Sequence, residues 1–295
     1  MPTTAPDAAD STLRQELRGL DKLELALPQR KSRTRRIWAS LWPKLAAIAL
    51  ALVIWELVVL SGWKNEVILP GPAEVFEALF DNFSLLMDAA WTTLQRAFVG
   101  FGIAVVLGTA IGAAVATIPV LRAAVGSMLA GLQTMPSIAW FPAAVVLFQL
   151  TDGAILFVVI LGATPSIANG LLAGFDTIPP IMLRTGRVLG ARGFATLRYV
   201  IMPASLPSFV AGLKQGWAFA WRSLLAGELL VTIPGAFSLG QQLTYSQEFA
   251  KYDYMYATMI VILVIGVIID ALFFATTERV IRKRYGFIDE AAAAR

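Results

Sequence analysis

Five charged residues interrupt the long apolar runs of this sequence, and three of them are the side chains that most need an explanation: Glu56, Arg222 and Glu228. If those runs cross a membrane, an unpaired charge inside them is costly, and such residues usually face a partner or a water-filled path. Arg222 and Glu228 lie too far apart around a helix for an ideal ion pair. We therefore expect Arg222 to pair with Glu56 or with a carboxylate across a subunit seam. The alternative is that Arg222 belongs to an anion-selective path. Lys214 lies near the end of its run and can extend its charge to the membrane surface, so it needs no special role.

The residue types that are missing exclude most catalytic chemistry. The sequence has no His and no Cys, which excludes thiol and imidazole nucleophiles and the usual zinc, haem and iron–sulfur sites. It also lacks the Gly-x-x-x-x-Gly-Lys-Ser/Thr pattern that cradles nucleotide phosphates. We expect a chain that is not an enzyme and binds no cofactor or metal itself.

The composition is that of a membrane protein. Of 295 residues, 57% are hydrophobic and only 15% are charged, against about 25% charged in soluble domains. The net charge of +4 is too small to indicate a nucleic acid partner. Membrane helices need about 20 apolar residues, and six runs qualify, which predicts an all-α protein with six transmembrane helices. These runs are residues 45–61, 97–121, 123–151, 153–175, 206–233 and 254–277.

The third run contains Pro136 and Pro142, so we expect it to be kinked or to begin as a separate short helix. The other expected features of packing are ladders of small residues, which allow membrane helices to approach closely. They are Gly162, Ser166, Gly170 and Gly174 in the fourth run, Gly212, Gly216 and Ala220 in the fifth, and Gly108 and Gly112 in the second. Plain contact between helices is the favoured role for all of them.

The basic residues predict the orientation. Of the 24 Lys and Arg residues, 19 lie before the first run, at Arg122, between the fourth and fifth runs, or after the sixth. These segments share one face, and basic residues favour the cytoplasmic face. We expect both termini in the cytoplasm, with a cytoplasmic extension over 1–44, a membrane domain over 45–277 and a cytoplasmic tail over 278–295. Leu13, Leu17 and Leu20 suggest an amphipathic segment in the extension, although a disordered tail explains them equally well.

A cytoplasmic loop over 176–207 is too long to be a simple connection. Pro179 and Pro180 can start a helix, Gly190 to Gly193 can form an elbow, and a second short helix over 194–202 should stop at Pro203. Gly190 either permits a close approach of the backbone to a partner or is needed only for the turn.

Residues 190–194 (Gly-Ala-Arg-Gly-Phe) and 200–207 (Val-Ile-Met-Pro-Ala-Ser-Leu-Pro) resemble the coupling loop, or EAA loop, of permeases from ABC importers. The Glu-Ala-Ala triplet of that loop is replaced by Arg184, Thr185 and Gly186. Three further segments resemble the nitrate, sulfonate and taurine branch of this family. They are residues 69–75, 135–142 and 220–230, so the resemblance extends from about residue 45 to the end of the sixth run.

This resemblance implies a type I ABC importer permease fold with a cytoplasmic coupling helix. It implies two ABC ATPase subunits that bind ATP and Mg²⁺ and dock on the loop 184–203, and an extracytoplasmic substrate-binding protein. A homodimer is the simplest assembly, although a second, related permease chain would serve as well. The expected ATPase-coupling residues are Arg187, Gly190, Ala191, Arg192, Gly193, Phe194 and Pro203.

The resemblance also implies that this chain, in a bacterial inner membrane, forms a path for a small anion, with an aliphatic sulfonate ranked first and taurine, nitrate and bicarbonate as alternatives. The path candidates are Ser137, Trp140, Thr164, Ser166, Asn169, Trp217, Trp221, Arg222 and Glu228, although each one alone is more typical of packing. A secondary active transporter without an ATPase is the main alternative, but no inverted repeat is visible in the sequence. A scaffold protein without transport is a second.

Overall fold

The computed structural model describes residues 33–233 and 235–285. The expected amphipathic segment around Leu13 and the end of the tail lie outside the described residues. The chain divides into two compact units, residues 1–61 and 62–295. The division into an extension over 1–44, a membrane domain over 45–277 and a tail over 278–295 stays a prediction.

Helix α1 is the described part of the first unit and covers Arg33–Leu60. Its residues Leu41–Leu60 are apolar enough to cross a membrane. The helix therefore starts well before the predicted apolar run. At 1.5 Å per residue it is about 42 Å long, longer than the roughly 30 Å hydrocarbon core.

The regular secondary structure of the second unit is entirely helical within its described residues. Its helices are α2 Pro72–Asp81, α3 Phe83–Thr117, α4 Pro119–Thr134, α5 Phe141–Phe148, α6 Asp152–Asp176, α7 Pro180–Val188, α8 Met202–Leu230, α9 Leu239–Glu248, α10 Tyr252–Ile269 and α11 Ala275–Tyr285. A 3₁₀ turn, Ser137–Trp140, precedes α5, and a π-helical turn, Asp270–Phe274, joins α10 to α11. In the described part of the chain, five helical segments are long and apolar enough to span a membrane, or six if one bent pair counts as a span.

The bent pair is the third predicted run. Helix α4 and the segment Ser137–Phe148 meet at 102°. Pro136 at the break has an extended backbone (ψ 124°), and Pro142 lies in the first turn of α5. Proline lacks the N–H that a continuous helix needs, which explains why the run breaks here into two helices instead of crossing as a straight one.

Helix α6 is the centre of the bundle and packs between α3 and α8. A Cβ atom added to Gly212 would lie 2.6 Å from the Cα of Gly170, and one added to Gly108 would lie 2.8 Å from the Cβ of Ile167. Neither position can hold a larger residue without moving a helix apart. The small residues therefore form the predicted seams and serve helix packing.

The second half of the loop 176–207 differs from the prediction. Residues Phe194–Thr196 start a helix that passes through a π-helical turn, Leu197–Ile201, and continues as α8. The expectation that this helix stops at Pro203 is wrong. Pro203 lies in the first turn of α8, directly after the π turn, and such a turn is a place where a helix tolerates an interrupted hydrogen-bond ladder.

Candidate functional site

The elbow after α7 is fixed by its glycine. Gly190 has a φ of +86°, a conformation that favours glycine. Its N–H donates to the carbonyl of Arg187 (3.1 Å), and the N–H of Ala191 donates to the carbonyl of Gly186 (2.9 Å). This pair of bonds is a Schellman motif, which satisfies the last carbonyls of a helix. The sequence thus requires glycine here to end α7 and turn the chain.

No described residue crowds this glycine. A Cβ added to Gly190 would have none of their atoms within 4 Å, so within the described part of the chain its role is the turn. A close approach of a partner backbone at Gly190 stays a prediction. Gly186 behaves differently, because its Cβ would lie 2.8 Å from Cγ2 of Val200. The third position of the altered Glu-Ala-Ala triplet therefore packs α7 against the π turn.

Helix α7, the elbow and the start of α8 enclose an open groove of about 360 Å³, which we call the coupling groove. Apolar side chains at its walls and rim are unusually exposed: Val188 is 86%, Leu189 81% and Phe194 78% exposed. Exposed apolar patches of this kind mark interaction surfaces. The groove is lined by Ile181, Met182, Thr185, Gly186, Leu189, Tyr199, Val200, Pro203 and Ala204.

The structure brings the predicted coupling residues together in part. Gly190, Ala191, Gly193 and Phe194 follow one another around the elbow, and the exposed side chains of Arg187 and Arg192 flank it. Pro203 lies on the opposite wall of the groove, on α8. The sequence placed these residues on one loop, but only the fold makes a concave surface of them.

A buried ion pair lies at the opposite end of the bundle. Arg96 on α3 approaches Glu228 on α8, with 3.0 Å between Nη1 and Oε1, and its Nε lies 2.7 Å from Oδ1 of Asp152 at the start of α6. Glu228 is 1% exposed. Because a buried charge needs a partner, Arg96 and Glu228 depend on each other.

Two further donors complete this network. Oε2 of Glu228 accepts from the hydroxyl of Thr93 (3.0 Å) and from the N–H of Gly240 (3.1 Å). The hydroxyl of Thr93 accepts from the N–H of Leu239 (3.0 Å). One carboxylate thereby joins α3, α8 and the first turn of α9, and Arg96 adds α6. We call these contacts the Glu228 network.

The sequence reasoning missed Arg96, because this residue lies just outside the predicted run 97–121. Helix α3 begins at Phe83, so Arg96 lies well inside a helix. A signal was present: Ala89, Thr93 and Ala97 are small residues at four-residue spacing, the pattern of a packed face. The packed face therefore extends toward the N-terminus, beyond the predicted start of the run at residue 97.

The position of Glu228 also changes its interpretation. Its contacts with Arg96, Thr93 and Gly240 join helices to one another, and a role for Glu228 in the translocation path stays a prediction. Arg222 does not join the salt bridges among the described residues; its Nε donates to the carbonyl of Ala218 (2.9 Å), and its guanidinium lies 4.9 Å from the ring centroid of Phe219. Its pairing with Glu56 or with another subunit stays a prediction.

Most of the other path candidates lie in packed surroundings. Ser166 accepts a hydrogen bond from Gln133 (3.0 Å), and Ser137 accepts one from Ser223 (2.6 Å). Thr164 is buried, and within the described residues its hydroxyl has no hydrogen-bond partner. Two of the remaining candidates, Trp140 and Asn169, are half-buried. The other two, Trp217 and Trp221, are almost fully buried.

A helical membrane bundle with one broken span and an elbow that presents a groove has the fold of the type I ABC importer permeases. The chain belongs to the family of binding-protein-dependent transport system inner membrane components, whose model matches residues 104–282. It is therefore a multi-pass membrane transport protein. The predicted resemblance to the nitrate, sulfonate and taurine permeases is confirmed by the relatives.

Two relatives and one solved structure illustrate the similarity. A putative ABC transporter permease of Methanocaldococcus jannaschii is 29% identical over 233 residues, which cover 77% of this chain and 86% of the relative. The taurine transport system permease of Escherichia coli K12 is 26% identical over 233 residues, 77% of this chain and 84% of its own. A chain from inward-facing MetNI, a methionine ABC transporter, has a TM-score of 0.56 at 21% identity, and covers 69% of this chain and 97% of its own.

Proposed function

We propose that this chain is the permease subunit of an ATP-driven importer and forms the membrane path for a small anion. The observation that carries the proposal is the coupling groove, a concave apolar surface on a family member whose sequence contains no phosphate cradle. In our proposal two ATPase subunits, which bind ATP and Mg²⁺, each hold the loop around Gly190 of one of two permease copies in a cleft, in contact with the exposed apolar side chains of the coupling groove.

The basic residues support a cytoplasmic position for the groove. Arg184, Arg187, Arg192 and Arg198 lie on or beside it, and Arg or Lys residues favour the cytoplasmic side of a membrane. The other end of the bundle carries a surface pocket lined by the carboxylates of Glu66, Glu74, Glu77, Asp81 and Asp253. We place that end outside, where a substrate-binding protein delivers the anion, and both termini in the cytoplasm.

An aliphatic sulfonate is the substrate class we propose first. The taurine permease of Escherichia coli supports this choice, and relatives named as nitrate and bicarbonate permeases support a small anion more generally. A homodimer is the assembly we propose, because one chain supplies a single coupling groove and two ATPase subunits need two.

In the proposed mechanism, closure of the ATPase dimer around ATP draws the two coupling grooves together. The elbow is continuous with α8 through the π turn, so a displacement at Phe194 is transmitted along this helix into the membrane. Helix α6 is held to α8 by the Gly170–Gly212 contact and moves with it. The path then opens outward, and hydrolysis reverses the movement.

Substitution within the groove tests this proposal. Leu189→Asp introduces a charge on the groove wall, and Phe80→Asp is a matched control, because Phe80 is 71% exposed on α2 at the other end of the molecule. Co-expressed with the candidate ATPase, Leu189→Asp should abolish co-purification and ATP-driven uptake into proteoliposomes, while Phe80→Asp should retain the ATPase. Equal co-purification by both variants would contradict the groove as the docking site. Gradient-driven uptake by the permease alone would favour the secondary transporter.

A further inference from the structure

A cavity of about 560 Å³ opens along α8 where it faces α10 and α11. Its wall includes Lys214, Gln215, Ala218, Trp221, Arg222 and Asp270. It is distinct from the coupling groove, which lies around the first turn of α8, because these positions are in the middle and second half of that helix. The cavity therefore lies at membrane depth.

The cavity occupies the face of α8 that does not pack on α6. Gly212, Gly216 and Ala220 repeat every four residues and form the packed seam. Gln215, Ala218 and Arg222 follow spacings of three and four residues, which place them together on another side of the helix. Because helix α8 is a membrane span, a guanidinium on this outer side is costly if it faces lipid. This face requires water, a ligand or a partner beside it.

Within the described residues, Arg222 donates one hydrogen bond, from its Nε to the carbonyl of Ala218. A guanidinium has five N–H groups in total, so in this part of the chain most of its donors remain for such a ligand. Trp221 supplies a second kind of donor. Its Nε1 is close to the Gly266 side of the cavity, since a Cβ added to Gly266 would lie 3.6 Å from it.

The other charges of the cavity lie further along it. Lys214 is paired with Asp270, with 3.0 Å between Nζ and Oδ1. Lys214 lies level with Asp270, and Trp221 lies level with Gly266, so α8 and α10 run in opposite directions. Glu278, the remaining carboxylate of the lining, follows Asp270 in the chain and is therefore at the end of the cavity away from Arg222.

We propose that the Arg222 end of this cavity binds the transported anion inside the membrane, with the guanidinium of Arg222 as its charged ligand and the indole N–H of Trp221 as a second donor. The substrate class rests on the proposed function, whereas the anion site itself rests on the cavity and its charges. Gly266 leaves the space beside the indole open. The Lys214–Asp270 pair lies on the side of the site that we place toward the cytoplasm, and Lys214 is a second cation about 12 Å further along α8.

The absence of Cys from the sequence permits a direct test. Ala218→Cys places a thiol one helical turn from Arg222, at the cavity wall. In membranes that contain the assembled importer, this thiol is treated with an anionic methanethiosulfonate (the ethylsulfonate) and with its cationic trimethylammonium analogue. We expect both reagents to react, with the anionic one favoured.

Removal of the charge should reverse this preference. In the Arg222→Gln background the ratio of anionic to cationic labelling rates should fall by about tenfold, as one unit charge a few ångströms away predicts. Arg222→Lys should keep most of the ratio, and so should Arg198→Gln, which removes a charge outside the cavity. No reaction with either reagent would overturn the proposal, because the face would then be sealed by lipid or by a carboxylate of the second copy. A ratio unchanged by Arg222→Gln would overturn it as well.

Protection by the substrate completes the test. Taurine and nitrate, used separately as probes at millimolar concentration, should slow the anionic labelling of Ala218→Cys if the site takes that anion, and slowing by neither would contradict a transport site. Uptake by the wild-type importer is measured in parallel. If uptake does not require ATP, the proposed function fails, while a charge-dependent labelling ratio would still support the anion site.

Discussion

Glu228→Gln is the substitution whose effect the structure predicts most directly. The carboxylate of Glu228 is almost fully buried and 3.0 Å from the guanidinium of Arg96. Glutamine can still accept from Thr93 and Gly240 through its oxygen, but its amide nitrogen would then face Arg96, a donor against a donor. Arg96 would be left as a buried cation whose remaining partner, Asp152, has a side chain that is 58% exposed.

The magnitude follows from the burial and the distance. Two unit charges about 4 Å apart interact by about 4 kcal/mol at an effective dielectric constant of 20. Loss of one partner from a buried pair costs about 3–5 kcal/mol in measured cases. We therefore expect Glu228→Gln to lower the free energy of unfolding by about 3 kcal/mol. Asp152→Asn should cost less than about 1 kcal/mol, because an exposed pair contributes little.

Thermal unfolding of the detergent-solubilised protein, followed by the fluorescence of its eight Trp residues, measures the effect. By the scaling for soluble chains of similar size, about 3 kcal/mol corresponds to a drop in Tm of about 6–12 °C. The double variant Arg96→Met with Glu228→Gln removes both charges, keeps an oxygen that can accept from Thr93 and Gly240, and should recover most of the loss. A Tm for Glu228→Gln equal to that of Asp152→Asn, or a double variant as unstable as the sum of the single ones, would refute the ion-pair reasoning.

Three further predictions follow. Gly190→Asp should leave the protein inserted in the membrane but uncouple ATP hydrolysis from uptake in the reconstituted importer. Gly190→Asn is the control for the turn, because asparagine tolerates a positive φ. Unchanged uptake by Gly190→Asp would rule out a role of this residue in coupling. Gly212→Val should lower the Tm by several degrees because its Cβ meets the backbone of Gly170, whereas Gly126→Val has open space around its Cβ and should cost about 1 kcal/mol or less; equal losses would contradict the seam. Glu56→Gln should impair assembly if Glu56 pairs with Arg222, and normal assembly and uptake would remove that hypothesis.

The composition and the order of the motifs determined the class of this protein. Apolar runs of membrane length predict helices, because the backbone can satisfy its hydrogen bonds in lipid only within itself. Small residues at four-residue spacing predicted the seams around α6 for a local reason: only Gly, Ala and Ser allow such close approach. Gly190 predicted the elbow, because tolerance of a positive φ is a property of glycine itself.

The tertiary structure alone decided which distant residues meet. Arg96 and Glu228 are 132 positions apart, and no local pattern shows that α3 and α9 approach α8 at the same level. The same holds for the coupling groove, whose second wall exists because a π turn joins the elbow to α8 where the sequence predicted a stop at Pro203. The packing of whole helices determines which residues of a buried network meet. That packing depends on contacts between residues that are far apart in the sequence.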